Sequence, residues 1–233
     1  MKQAPEILRF RGTPSRLLTT VEYAERVPPS QSGRVTLAGR TALPLFVRRL
    51  RSEEPLMSVL SFRLPKSTPP GIYQGRVELG GQRMPIEVEV EPRTNLRFLR
   101  PALFRRIKRG ASITEELVLV NRGNVTVKIP KEDRFCVFDE SGVARAIYRG
   151  LVEEDGDGEQ RIDRMMDELA KSHGGLVRAT VSGGWGALAP EEVRTLKVEF
   201  LFSGRLIADR TYRGTWSVSE ASLDVKVDVT RES

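Results

Sequence analysis

The stretch "GIYQGRVELGGQRMPIEVEV", residues 71–90, decides the fold, because its pattern of two alternating segments around Gly80 and Gly81 returns near the other end of the chain. A shift of 139 residues lays Ile72–Val90 on Thr211–Val229, "TYRGTWSVSEASLDVKVDV", without a gap. Tyr73 then falls on Tyr212 and Gly75 on Gly214. The apolar positions Val77, Leu79, Met84, Ile86, Val88 and Val90 fall on Trp216, Val218, Leu223, Val225, Val227 and Val229. Side chains of a strand alternate between two faces, so each copy reads as two half-buried strands joined by a turn.

The same alternation recurs at 34–37, 56–64, 116–120, 125–129 and 194–201. Turn-forming runs such as "VPPSQSG" (27–33), "PKSTPPG" (65–71) and "NRGN" (121–124) lie between the segments. Many short strands punctuated by Pro and Gly predict antiparallel sandwiches rather than an α/β fold. Each copy of the repeat closes its half of the chain, as a last hairpin would.

A Tyr at the start of the penultimate strand is where immunoglobulin-like folds place a tyrosine whose hydroxyl bonds back to nearby backbone. Gly75 and Gly214 stand where an antibody domain has its second Cys. The motif "TPPGIYQGRVEL" therefore resembles the disulfide-free immunoglobulin-like domains common in bacterial surface and periplasmic proteins; "ADRTYRGTWSV" keeps the Tyr and Gly without the prolines. The resemblance implies an all-β protein of two immunoglobulin-like β-sandwich domains in tandem, the second carrying an inserted α-helix. The expected limits are 1–92 and 93–233, with the insertion near 153–175.

Within that insertion, "DGDGEQRIDRMMDELAKSHGG" is the one strong helix pattern. Asp157 is placed to cap it, and Ile162, Met165, Met166 and Leu169 recur at helical spacing. His173 and Gly174 fall at its C-terminal end. A single apolar stripe predicts a single buried face, laid across an open edge or end of the second sandwich.

The chain has 233 residues, 39% of them hydrophobic, and no run approaching the ~18 apolar residues that span a bilayer. The N-terminal residues lack the apolar segment of a secretory signal. The location is thus extracytoplasmic, in the periplasm or at the cell surface, if a leader has been removed, and otherwise cytoplasmic. The formal charge is +7, with 30 Arg against 8 Lys. Such an imbalance is the ordinary codon-composition mark of a GC-rich genome; Arg also suits carboxylates and phosphates, so the bias leaves an anionic partner open.

Candidate sites are few. Asp155, Asp157 and Glu159 offer carboxylates at alternate positions, the arrangement of a Ca²⁺ loop. Counted from Asp155, however, an EF-hand would need Gly at 160 and Glu at 166, which are Gln and Met. Solvated acids ahead of a helix are the alternative. The basic stretch holds Arg97, Arg100, Arg105, Arg106 and Arg109 as candidate partner contacts, and Trp185 in "GGWG" joins them. Its alternative is a strand with Leu96, Phe98, Leu103 and Ile107 turned inward. No nucleic-acid fold signature accompanies these residues, so an acidic protein surface is favoured over nucleic acid, with an anionic membrane surface as a further option.

His173 is the single histidine and Cys136 the single cysteine. The first reads as a helix cap and the second, within "FCVF", as a small buried hydrophobe. No two-His metal site or disulfide forms within one chain, and no catalytic constellation is present, so no cofactor is expected. The function expected is a non-catalytic structural or adaptor subunit of a larger bacterial, extracytoplasmic assembly. The alternatives are a periplasmic chaperone for surface-fibre subunits and a calcium- or carbohydrate-binding module.

Overall fold

The structure is a computed structural model and describes residues 7–22, 33–37, 43–49, 57–79, 81–151 and 158–231. The chain is mostly β and forms two compact units. One comprises Met1–Thr94 with Arg122–Thr126 and Ala189–Glu191; the other comprises Asn95–Asn121, Val127–Leu188 and Glu192–Ser233.

The first unit holds β1 (Leu8–Thr13), β2 (Arg16–Glu22), β3 (Gly33–Leu37), β4 (Leu43–Arg49), β5 (Met57–Phe62), β6 (Gly71–Leu79) and β7 (Gln82–Val90). Their order is β1-β2-β5-β4-β3-β6-β7, and β1 runs parallel to β7 from Leu8 opposite Ile86 to Gly12 opposite Val90. This pairing corrects the expected two-sheet sandwich: the sheet closes into a barrel. Closure leaves no free edge. Alternate residues fill the interior, where Phe10 meets Phe62 edge-on at 5.0 Å.

The second unit holds β8 (Leu96–Phe98), β9 (Ala102–Lys108), β10 (Ser112–Asn121), β11 (Val127–Ile129), β12 (Glu132–Asp139), α1 (Gly142–Leu151), α2 (Gly158–Ser172), β13 (His173–Gly183), β14 (Gly186–Leu188), β15 (Val193–Leu201), β16 (Thr211–Val218) and β17 (Ala221–Thr230). The sheet order is β8-β10-β15-β13-β12-β16-β17-β9, with β11 and β14 paired separately. If β8 and β9 are counted as one interrupted first strand, the order is that of the first unit. β8 lies against the second strand and β9 runs parallel to the last, as β1 does alone in the other unit. Trp216 fills the core between Phe98 and Phe200, with ring centroids at 5.6 and 5.5 Å.

The repeated hairpins share a register. Tyr73 pairs with Val88 and Gly75 with Ile86; Tyr212 pairs with Val227 and Gly214 with Val225. Both tyrosine hydroxyls reach upstream backbone, with opposite polarity: Tyr73 donates to Pro69 O at 2.8 Å, whereas Tyr212 accepts from Ile207 N at 3.1 Å. The repeated glycines have one cause. A Cβ at Gly75 would run into Thr36 O, and one at Gly214 into Cys136 O, so the neighbouring strand approaches only a bare backbone.

Between β12 and β13, adjacent strands of the sheet, the chain makes a hairpin of two helices where the sequence suggests one. The hairpin therefore elaborates a connection between two interior strands of the sheet, so of the two expected placements, edge or end, it does not take the edge. Helix α1 places Gly142, Ala146 and Gly150 in one buried row against α2. A Cβ at Gly150 would stand 3.1 Å from Met165 Cβ, and one at Gly142 would strike Ser172. Small residues thus set the close antiparallel packing.

Candidate functional site

The helical hairpin is polar toward the sheet and apolar away from it. Glu168 on α2 and Asp139 at the end of β12 each retain 1% side-chain exposure. Arg210, just ahead of β16, donates to both, at 2.7 Å to Glu168 Oε1 and 3.1 Å to Asp139 Oδ2. From α1, Arg145 pairs with Asp139, and Arg149 Nη1 lies 3.3 Å from Glu168 Oε2. Three guanidiniums thus neutralise two buried carboxylates, which would be costly to bury alone. Burial, followed by the charge of Arg210, lowers the pKa of Arg145.

Helix geometry fixes what faces away. Successive residues turn by about 100°. In this antiparallel pair the row Arg145, Arg149 and Glu168 lies on one side of the helix–helix contact. Val143, Ile147 and Leu151 of α1, with Ile162 and Met166 of α2, lie on the other, and all five are exposed. The stripe expected to be buried is therefore split. Met165 and Leu169 are half-buried, while Ile162 and Met166 face solvent, because Glu168 and its arginines occupy the inner face.

Of the expected metal ligands, Asp155 and Asp157 lie outside the described residues, as does the supposed cap at Asp157. Glu159 is exposed in the first turn of α2. Among the described residues no three His, Cys, Asp or Glu side chains group to hold an ion.

The basic stretch divides. Leu96, Phe98, Leu103 and Ile107 are buried, and Arg97, Arg100, Arg106 and Arg109 are exposed. Arg97 bonds Asn95 Oδ1 at 3.1 Å, and Arg109 donates to Gly204 O. Arg105 breaks the alternation: it shares a side of β9 with Leu103 and Ile107 and forks onto Glu115 at 2.6 and 2.7 Å. Trp185 sits apart from this stretch, beside the β11–β14 pair, with Lys131 Nζ 5.9 Å from its ring centroid.

Two further expectations are corrected. Cys136 is half-buried on the outer face of β12, because Phe135 and Val137 take the inward positions. His173 directly follows the last residue of α2, as expected, but begins β13, and its ring is engaged elsewhere: Nδ1 accepts from Gly175 N–H and the ring stands edge-on to Phe138 at 5.1 Å. The residues the sequence reading missed are those of α1. The i, i+4, i+8 spacing of Val143, Ile147 and Leu151 is the signal that marks them.

Among the described residues no helix is long and apolar enough to cross a membrane. No protein-family model and no curated protein matches the sequence. Among solved structures the chain is similar to an I-band fragment of titin, at 10% identity and a TM-score of 0.37 over 98% of this chain and 62% of that one. It is also similar to domains 4 and 5 of the S-layer protein SbsC, at 12% identity and a TM-score of 0.29 over 70% of this chain and 66% of that one. The ectodomain of the teleost fish polymeric Ig receptor gives 12% identity and a TM-score of 0.23, covering 97% of both chains. Likenesses of this degree carry no argument about function.

Proposed function

We propose that the chain is a non-catalytic adaptor or structural subunit, built from two immunoglobulin-like modules in tandem, that seats a protein partner on the outer face of its helical hairpin. The strand order common to both units and the tyrosine bonded back to upstream backbone support the module class. The motif "TPPGIYQGRVEL" resembles bacterial surface domains, which gives the setting: a bacterial, extracytoplasmic assembly.

The observation that carries the docking role is the inverted polarity of the hairpin. A surface helix ordinarily turns its apolar stripe to the core. Here buried ion pairs hold α1 and α2 to the sheet, leaving Val143, Ile147, Leu151, Ile162 and Met166 as one exposed apolar face. Such contiguous faces mark interaction surfaces. Asp163 and Asp167 are exposed beside the stripe, and their charge disfavours an anionic membrane as occupant. Arg100 and Arg106, exposed and without an ion pair among the described residues, remain for an acidic patch on the same partner.

A photo-crosslinker at position 147, compared with one at the still more exposed position 72, tests this in the native cell. The expected result is one dominant adduct at 147. It should be lost when Val143→Glu/Met166→Glu is added to the crosslinker chain, a change expected to leave the melting temperature within about 2 °C of the parent. Equal labelling at 147 and 72, an adduct that is a second copy of the chain, or saturable turnover of a substrate by the purified protein would each overturn the reading.

A further inference from the structure

A second surface, separate from the hairpin's apolar face, has a composition that the adaptor reading does not explain. Arg134 on β12 and Arg178 on β13 stand directly opposite each other on the outer face of the sheet. Like charges in that position destabilise a strand pair. Leu201 on β15 continues the row beyond Arg178. A bulge between Val137 and Phe138 shifts the register of β13. It turns Gly174 inward, where a Cβ would stand 2.6 Å from the Tyr212 ring, and brings His173 out beside Phe138. The turn after β15 supplies Ser203 and Arg205, and the resulting groove encloses about 500 Å³. Gly175, at φ +90°, allows this approach, since a Cβ there would lie 2.7 Å from Ser203 Oγ.

The polar side chains of the groove present donors. Gly175 N–H donates to His173 Nδ1 at 3.2 Å, so the neutral ring carries its proton on Nε2. Arg205 N–H donates to Ser203 Oγ at 3.1 Å, which leaves the hydroxyl proton free to point outward. The Arg178 and Arg205 side chains have no hydrogen bond or ion pair among the described residues. Arg134 has only Glu132, at 3.9 Å and half exposed. No carboxylate lines the groove. Three guanidiniums, an imidazole N–H and a hydroxyl thus line one groove, with Glu132 beside Arg134 as their sole carboxylate partner among the described residues.

We propose that this groove binds a phosphate monoester. A phosphomonoester carries ~1.5 to 2 negative charges and three acceptor oxygens, which suits a donor-only site better than a single carboxylate does. Guanidinium forks match phosphate oxygens in pairs. The groove is larger than a phosphate group alone, so the body of the ester rests on Leu176 and Leu201. Free phosphate shares the chemistry and lacks the body.

Calorimetric titration of the whole chain at fixed ionic strength, with phenyl phosphate, inorganic phosphate and succinate, tests the assignment. Phenyl phosphate is expected to bind most tightly, inorganic phosphate more weakly, and succinate about tenfold or more below the ester. Arg178→Gln and Arg205→Gln should each weaken the ester by about tenfold. Without ligand, Arg178→Gln should melt no lower than the parent, since it removes a repulsion. The proposal fails if the ester gives no saturable signal, if succinate binds as well as the ester, or if both variants bind like the parent. Inorganic phosphate binding as tightly as the ester would instead assign the groove to the free ion and overturn the ester.

Discussion

Glu168 of α2 accepts a 2.7 Å hydrogen bond from Arg210, which lies 42 residues further along the chain, ahead of β16, and its carboxylate is all but excluded from water. Glu168→Ala would leave Arg210 with only Asp139 and strand buried positive charge, and is expected to destabilise the second unit by about 3 kcal/mol. Both tryptophans, Trp185 and Trp216, belong to that unit, so fluorescence-monitored urea unfolding reads it selectively. Because the loss arises from an uncompensated charge, Glu168→Leu combined with Arg210→Met should cost clearly less than the sum of the single changes.

Gly75→Ala and Gly214→Ala should behave alike in their respective units, since each places a methyl group against a backbone carbonyl of the adjacent strand. Overpacking of this kind costs about 1–3 kcal/mol. Amide hydrogen exchange resolved by segment is the suitable measurement. Gly75→Ala should speed exchange in β3 and β6, and Gly214→Ala in β12 and β16.

The row Gly142, Ala146 and Gly150 predicts a third effect. Gly150→Ala would ordinarily favour a helix by about 1 kcal/mol. Here the new methyl meets Met165 Cβ and must push α2 away. The expected outcome is lower stability despite higher intrinsic helicity, and Gly142→Ala should be worse because it meets Ser172 more closely. Circular dichroism of isolated α1 peptides, set beside melting of the whole chain, separates the two contributions.

Acid should weaken one surface pair in a defined direction. Arg213 hydrogen-bonds Asp224 across β16 and β17 at 2.9 and 3.1 Å, and that bond, more than Arg213's charge, lowers the Asp224 pKa. A folded value below the unfolded one means that the stabilisation is present above the unfolded pKa of about 3.9 and is lost as pH falls through the folded value. Asp224→Asn should therefore be less stable than the parent at about pH 6, and the gap should close as the pH drops below about 4. Thermal melts across that range check it.

The repeat was legible because both copies alternate strictly and carry the same Tyr and Gly. Its shared register follows from two-residue periodicity, which a one-residue slip would invert. Barrel closure was not legible: β1 and β7 are distant in sequence and pair in parallel, and no local pattern encodes such a contact. Helix α2 was readable from its spacing, but periodicity reports a stripe and not which side meets the protein. Glu168 on the opposite side, drawn in by Arg210, reversed the orientation. Helix α1 escaped because three of its ten residues form the small-residue row and add nothing to an apolar count. The outward groove escaped for another reason: Arg134, Arg178 and Arg205 come from three separate segments and meet only through strand pairing and a turn.

The hairpin leaves β12 at Asp139 and returns at His173, which pairs with Phe138 beside it. Its two attachment points therefore lie about as close as those of an ordinary tight turn. A shortened chain with a few turn residues in place of 141–172 would still close its sheet, and Arg210 and Asp139 would still neutralise each other. The surface proposed for docking is in this sense an appendage, one whose replacement would leave the pairing of the sheet beneath it unchanged.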